Sequence, residues 1–377
     1  MGPGVRRIAT RNEILYSDLF FDIGKCFTFT RESYRVSKCR MRHVTQEDIA
    51  RKLNVTRITV SKALRDHPDI SVRMKQRVMD AAEEMGYSPN QIAQQLTTRT
   101  TNTIGVIVPD LENSFFSHVV SSIIDTAADR GYQVLLAVSR ENEETEKRNI
   151  QNLVGKRVDG LLVCLSQQTT DPAIFESIGK MEIPLVFFDR SLPGTGFSRV
   201  VFDDDRGVRL AIDHLVVAGY TRIAHLAGYS TTSIGKERLE GYMAALINHG
   251  LIVRMDWIIE GGYELDDGYR AFMKLYERQD LPEIILTVND RVALGAYQAI
   301  REKGLRVPGD IGVVGFGFSE TAEMFSPPLA VISQDPRKMG HLAASRLIGE
   351  IQAVSVAGEE IRIEEDFQWN SSVKHKK

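Results

Sequence analysis

The chain has 377 residues, a formal net charge of -3 and 43% hydrophobic residues, which implies two or three domains with ample core. No apolar run approaches the roughly 18 residues that span a bilayer, which excludes a helical membrane protein. The near-neutral total hides an asymmetry: residues 1–102 hold 18 Lys and Arg against 11 Asp and Glu, and the remainder 29 against 39, so a basic head precedes an acidic body, as in a nucleic-acid-binding module joined to a second module.

Residues 1–42 are basic and irregular. Their apolar patch from Leu19 to Phe29 is interrupted by Asp22 and Lys25 and lacks a cleavage site, so a signal peptide is not expected. A disordered extension, or a start placed too far upstream of Met41, is the expectation for this segment. From Thr45 the pattern sharpens. Thr45 and Asp48 form a capping-box pair ahead of an apolar stripe of Ile49, Ala50 and Leu53. Asn54-Val55 breaks that helix. Thr56 can cap a second, with Val60, Ala63 and Leu64 inward and Arg57, Ile58, Ser61 and Lys62 outward. A short helix, polar outside and braced by a partner, suits a DNA major groove. Ser71 can cap a third helix, with Val72, Val78, Ala81, Ala82 and Met85 as its apolar set and Gly86 as its stop. The segment 90–98 has helical spacing but is too short to hold itself, since helices under about 12 residues are marginal in water.

Beyond Thr103 short apolar strands alternate with amphipathic helices. Strands are predicted at 104–108, 133–138, 160–165 and 184–188, with helices at 114–130 and 143–156. The alternation restarts after Asp205, with helices to 218 and 248 and at 266–277 and 291–303, and strands at 222–226, 257–260, 283–287 and 311–315. Two such sets predict two lobes with parallel sheets covered on both faces. Ligands bind at the carboxyl ends of such strands, so the cleft between the lobes is the expected site. Cys164 falls in an apolar strand and reads as buried. With Cys26 and Cys39 it forms neither a metal-ligand spacing nor a disulfide framework, which suits a reducing cytoplasm.

The helix pair, the Tyr87-Ser-Pro-Asn90 stop and the Ile92-Ala-Gln-Gln-Leu96 segment together resemble the LacI/GalR family of bacterial transcription regulators. The likeness continues through Asn102 to Asp110, Arg157-Val-Asp-Gly-Leu161, Asn289-Asp290, Ala293-Leu-Gly295 and Gly304 to Pro308, and spans about 44–369. It implies a small all-α helix-turn-helix head and hinge helix joined to a two-lobe α/β core like that of periplasmic binding proteins. The expected division is extension 1–42, head 43–90, hinge 91–102, N-terminal lobe 103–203 plus 334–357, and C-terminal lobe 204–333 plus 358–372. The chain would thus cross between lobes three times, near Asp203, Gln334 and Gly358.

The resemblance also assigns roles. Arg57, Ile58 and Lys62 would face base edges: Arg57 and Lys62 could donate to guanine, and Ile58 could touch a thymine methyl. Thr56, Thr59 and Ser61 are placed for phosphates. Asn90, Ala93 and Leu96 belong to the hinge helix, where paired leucines would wedge into the minor groove. For an effector, Phe115, Asp189, Arg190, Arg238, Tyr263, Asn289 and Asp290 are the candidates. Arg238 is the expected polar anchor, Tyr263 a stacking platform, and Asn289 a better ligand than Asp290, which may only cap a helix. One departure stands out: in Val314-Gly-Phe-Gly-Phe318, Gly317 replaces a carboxylate common in relatives, with Ser319 or Glu320 as possible substitutes.

The function so implied is a homodimeric, cytoplasmic, sequence-specific regulator, a repressor above all. It would act on near-palindromic double-stranded operator DNA and respond to a small sugar-like effector, with no cofactor, metal or membrane. A sugar-binding transport receptor has no use for a DNA-binding head. An enzyme on the same fold lacks a nucleophile–base pair, a metal cluster or a phosphate loop here.

Overall fold

The computed structural model describes residues 44–88, 100–354 and 358–376. The extension 1–42, Cys26, Cys39 and the hinge candidates Asn90, Ala93 and Leu96 lie outside the described residues. Two compact units divide at Pro89/Asn90. Among the described residues no helix is long and apolar enough to cross a membrane.

The first unit contains α1 (Gln46–Leu53), α2 (Arg57–Leu64) and α3 (Val72–Glu84). The capping box at α1 forms as the residue types require: Thr45 accepts from the Asp48 amide, and Asp48 accepts from the Thr45 amide. Asn54 takes a left-handed conformation (φ 54°), which a short polar side chain tolerates, and so turns the chain into α2. Ile49, Ala50, Val60, Ala63, Val78, Ala81 and Ala82 form the buried core. Val72, expected to be apolar-inward, is 83% exposed because it opens α3 at the position that projects away from that core.

The second unit has two six-stranded sheets. The first sheet runs β11-β5-β4-β3-β1-β2 and is parallel throughout, with β1 (Thr103–Val108), β2 (Gln133–Val138), β3 (Gly160–Val163), β4 (Leu185–Phe188), β5 (Ser198–Phe202) and β11 (Glu360–Ile363). Helices α4 (Ser114–Asp129), α5 (Glu143–Gly155), α6 (Ala173–Lys180) and α12 (Pro336–Ile351) accompany it. The second sheet runs β12-β10-β9-β8-β6-β7, with β6 (Ile223–Ala227), β7 (Ile258–Glu260), β8 (Ile284–Thr287), β9 (Gly312–Gly317), β10 (Ala330–Ser333) and an antiparallel edge, β12 (Asp366–Gln368). Its helices are α7 (Asp204–Val217), α8 (Ser233–Asn248), α9 (Leu265–Tyr276), α10 (Asp290–Glu302) and the short α11 (Ser319–Glu323).

The third crossing corrects the expected boundaries. The sequence places 360–363 in the C-terminal lobe, from 358 onward. They instead pair in register with β5, Ile361 against Val200 and Ile363 against Phe202, so they belong to the N-terminal lobe. The chain crosses at Glu364-Glu365, immediately before β12 joins the second sheet. The amphipathic helix α12 was not anticipated, although Asp335-Pro336 is a strong start signal: Asp335 caps the Arg337 and Lys338 amides. It lies against α4 so closely that a Cβ at Gly340 would meet the Val119 carbonyl at 2.4 Å.

Candidate nucleic-acid interface and effector cleft

In the head, α2 presents the expected readers. Arg57 is exposed and makes no ion pair among the described residues, and Ile58 is 68% exposed. Lys62 is held by Asp69 at 2.7 Å, so it must leave that carboxylate to reach a base. Thr56 accepts from the Thr59 amide at 3.1 Å, and the two hydroxyls lie 2.9 Å apart. Ser61 accepts from Arg65 at 2.9 Å. The cap therefore fixes the start of α2 and leaves its first turn open to a groove.

The two lobes of the second unit face each other across the carboxyl ends of their strands. Asp189 and Arg190 follow β4, Asn289 follows β8, and Gly317 ends β9. All of them border one cleft with Phe115, Arg238, Tyr263 and Asp290. The cavity left between the lobes is about 50 Å³. Ligand pockets begin near roughly 300 Å³, so a sugar-sized molecule needs the lobes to part or a side chain to move.

Arg190 spans the two lobes here. It projects from the N-terminal lobe, donates to both oxygens of Glu141 at 2.8 and 2.9 Å, and lies 4.7 Å over the Tyr263 ring of the C-terminal lobe. Gly228 also packs against Tyr263: a Cβ there would fall 2.6 Å from the ring. The stacking platform is thus already covered. Asp189, buried and left-handed (φ 59°), accepts from the Cys164 thiol at 3.7 Å. Burial raises its carboxyl, against the pull of Arg190 and Arg238.

Arg238 on α8 is buried at 3% exposure. Its Nη2 lies 2.7 Å from Asp204, another nitrogen donates to the Val288 carbonyl, and its guanidinium stacks 3.8 Å over Phe316. Asp204 opens the first crossing, Gln334 sits on the second, and Glu365 on the third. Gln334 donates to Glu365 at 2.6 Å. Burial pushes Asp204 up to about 7 and Glu365 well above the carboxylate range, because two carboxylates share one guanidinium away from water. Gly207 makes the room: a Cβ there would fall 2.0 Å from Glu365 Oε2. Arg238 therefore belongs to a polar knot tying the hinge strands as well as to the cleft wall.

Asn289 and Asp290 both border the cleft and differ in their partners. Asn289 is the helix cap: its Oδ1 accepts from Val292 N at 2.8 Å and its Nδ2 donates to the Tyr263 carbonyl at 2.9 Å, which leaves one amide hydrogen and one lone pair free. Asp290 leaves its carboxylate in the cleft, held by Thr321 at 3.1 Å. A Cβ at Gly317 would lie 3.2 Å from Asp290 Oδ2, so glycine there leaves space for that carboxylate. Ser319 is engaged with Gln368 at 2.7 Å and does not border this cleft. Phe116 is core, at 4% exposure, while Phe115 is half-buried at the cleft. Glu141, Asp204, Gln334 and Glu365 escaped the sequence reading. Glu365 sits in the acidic run Glu364-Glu365-Asp366, which looks like solvated surface until the crossing is known.

A neighbouring carboxylate gives a pH prediction. Glu146 on α5 is fully buried and accepts from Ser166 N at 2.7 Å and Thr169 Oγ1 at 2.9 Å, tying down the loop after β3. Burial outweighs those hydrogen bonds and pushes its carboxyl from 4.5 to about 7. The folded state then binds the proton more tightly than the unfolded state, so stability falls as pH rises between these values. Glu146→Gln keeps both contacts, with Thr169 turned to accept. At roughly 1.4 kcal/mol per pKa unit it is expected to add up to about 3 kcal/mol at pH 8 and much less at pH 5. Thermal melts at the two pH values check this; equal shifts at both would count against it.

A helix pair with an open reading face and a hinged two-lobe binding core define a DNA-binding transcription regulator rather than an enzyme. The chain belongs to the LacI family: "Bacterial regulatory proteins, lacI family" matches residues 45–90, and "Periplasmic binding proteins and sugar binding domain of LacI family" matches 101–371. It is similar to the HTH-type transcriptional repressor PurR of Pasteurella multocida, 32% identical over 88% of this chain and 98% of that protein. It is also similar to the catabolite control protein A of Priestia megaterium, 29% identical over 88% and 100%. Among solved structures, the lac repressor dimer bound to operator and the anti-inducer ONPF matches with a TM-score of 0.80 at 29% identity, covering 88% of this chain and all of that one. The transcriptional regulator CelR–cellobiose complex matches at 0.67 and 29% identity, with the same coverage.

Proposed function

We propose that this protein represses transcription in the bacterial cytoplasm as a homodimer on a near-palindromic operator, and that a small sugar-like effector held between its lobes controls it. The observation that carries this is the exposed α2 face, Arg57, Ile58 and Lys62, on a chain whose other unit is a hinged ligand cleft. The relatives support it: PurR is a repressor, and the lac repressor structure is a dimer on operator. Phe115, Asp189, Arg190, Arg238, Tyr263, Asn289 and Asp290 border the effector site, with Asp189 and Asp290 making the direct polar contacts and Arg238 and Asn289 holding the wall. A ligand that favours one lobe arrangement shifts the population of the DNA-binding state by its differential affinity. Selection of sites from random duplex DNA is expected to return an inverted repeat; recovery of non-symmetric sites, or a monomer by light scattering on the selected DNA, would refute the proposal.

Leu96 tests the hinge assignment. Leu96→Ala is expected to weaken operator binding far more than binding to random DNA, because a wedge supports only the bent, sequence-dependent complex whereas phosphate contacts support both. Filter binding on the two DNAs at fixed salt decides it, and equal losses would sink the wedge.

A further inference from the structure

The loop that follows the reading helix carries an acid where DNA has to come. Asp69 Oδ2 lies 2.7 Å from Lys62 Nζ, so a carboxylate sits beside the tip of a base reader. Its loop is pinned. The His67 amide donates to the Lys62 carbonyl at 3.0 Å, and the Asp69 and Ile70 amides donate to the Nδ1 and the carbonyl of His67, both at 3.2 Å. Ile70 packs on the head core, and Lys75 on α3 holds Asp66 at 2.6 Å. The hydrogen bond from Lys62 and the lysine charge hold the Asp69 carboxyl below the usual carboxylate range, so it is ionised near neutral pH.

An acid in this place works against binding on most sequences. Phosphates line both edges of the groove. Once Lys62 turns to a base, the carboxylate is left beside them without its cation. Opening an exposed ion pair costs little in itself, so the outcome turns on whether the carboxylate finds a new donor. The major-groove edge offers donors only at the amino groups of cytosine (N4) and adenine (N6). Guanine offers two adjacent acceptors, N7 and O6, to the Lys62 ammonium. The N4 of its paired cytosine lies directly beside O6, one hydrogen bond away. A single G·C pair therefore gives new partners to both halves of the Lys62–Asp69 pair. An A·T pair has its amino group between two separate acceptors and gives the lysine only one of them. The reversed C·G pair sets the guanine acceptors against the carboxylate.

We propose that Asp69 is a specificity-determining residue: with Lys62 it reads one G·C pair in each half-site, the lysine on guanine and the aspartate on the N4 amino group of the paired cytosine. The acid thereby selects against sequences that lack that amino group. This rests on the proposed reading of α2 as the helix that enters the groove.

The test is site selection from random duplex DNA by the full chain and by its Lys62→Ala and Asp69→Ala variants, followed by titration on the selected site. Lys62→Ala locates the symmetric pair of positions that the lysine reads, and these are expected to be G·C. Asp69→Ala is expected to relax the preference at the same positions by about tenfold per half-site. Its binding to random DNA should stay level or rise, because a negative charge has left the groove. Replacing the cytosine there by 2-pyrimidinone, which lacks the N4 amino group, should weaken the parent chain more than Asp69→Ala, since the cost to the duplex is common to both. Each comparison is a ratio between two DNAs on one protein, so a small change in folding does not enter it. Positions other than G·C, a parent preference retained by Asp69→Ala, or equal losses on the pyrimidinone site overturn this inference and leave α2 as the reading helix. A parent chain that selects no sequence overturns both.

Discussion

Arg238→Ala is expected to destabilise the lobed unit by about 3–5 kcal/mol, the cost of breaking a buried ion pair by removing one partner. In a unit of this size that corresponds to a melting temperature lower by roughly 10 °C. Among the described residues the arginine is the cation that faces Asp204 and Glu365 where the chain crosses between lobes, and it also stacks on Phe316 and ties the Val288 carbonyl. Removing it leaves Asp204 and Glu365 without that cation, so both must be neutralised by protons or stay charged away from water. Its loss should therefore not be silent in the absence of effector, as loss of a simple ligand contact would be. Two further outcomes follow from the electrostatics. The deficit should shrink as pH falls, because both carboxylates are pushed up and then protonate. Adding Asp204→Asn should recover part of the loss, since the uncompensated charge goes with it. The head has its own core and should melt as in the parent. Calorimetry of the single and double variants measures all of this; an unchanged core transition in Arg238→Ala would mean that the knot contributes nothing.

Arg57→Ala is expected to produce the largest loss at the DNA. A bidentate guanine contact contributes about 1–3 kcal/mol of discrimination. In a homodimer on an inverted repeat every substitution is made twice, so operator affinity should fall by about 2–6 kcal/mol, or roughly 30-fold to 10⁴-fold. Random DNA should be affected much less, because a single phosphate contact per head is at stake there. Arg57 carries this expectation better than Lys62, which starts from an ion pair with Asp69. Titration of operator and of operator with each half-site position changed should show relaxed preference at one symmetric pair of positions. Uniform weakening on all sequences would mean that Arg57 holds a phosphate instead.

How much of this was legible beforehand differs between the two units. In the head the signals are local: Thr45, Asp48, Thr56 and Ser71 act on amides within three residues of themselves, Asn54 turns the chain by its left-handed backbone, and the inward apolar residues follow one helical period. Val72 misled because apolar character alone does not say which way the first residue of a helix points. The alternation of strands and helices likewise announced two parallel sheets, because each strand buried on both faces must be a short apolar run. It also placed Asp189, Asn289 and Gly317 at strand ends, which was enough to put them in one cleft.

What the sequence could not settle is which side chain answers which. Asn289 and Asp290 are adjacent and both suit a helix cap; only the folded chain shows that Asn289 takes it and that Asp290 meets Thr321. Arg190 covers Tyr263, and Glu141 anchors Arg190, through contacts made across loops and lobes distant in the chain. The third crossing moved from 358 to Glu364-Glu365 because 360–363 gains its hydrogen bonds from β5, a partner about 160 residues earlier that no local pattern specifies. The hinge knot is the extreme case. Asp204, Arg238, Gln334 and Glu365 come from four separate segments, and although the resemblance points to Arg238 and Gln334, no local pattern pairs the four. Local physics determines the elements and the ends at which a site can form; only the packing of the lobes determines which charges are buried together, and hence that Arg238 faces Asp204 across segments distant in the chain.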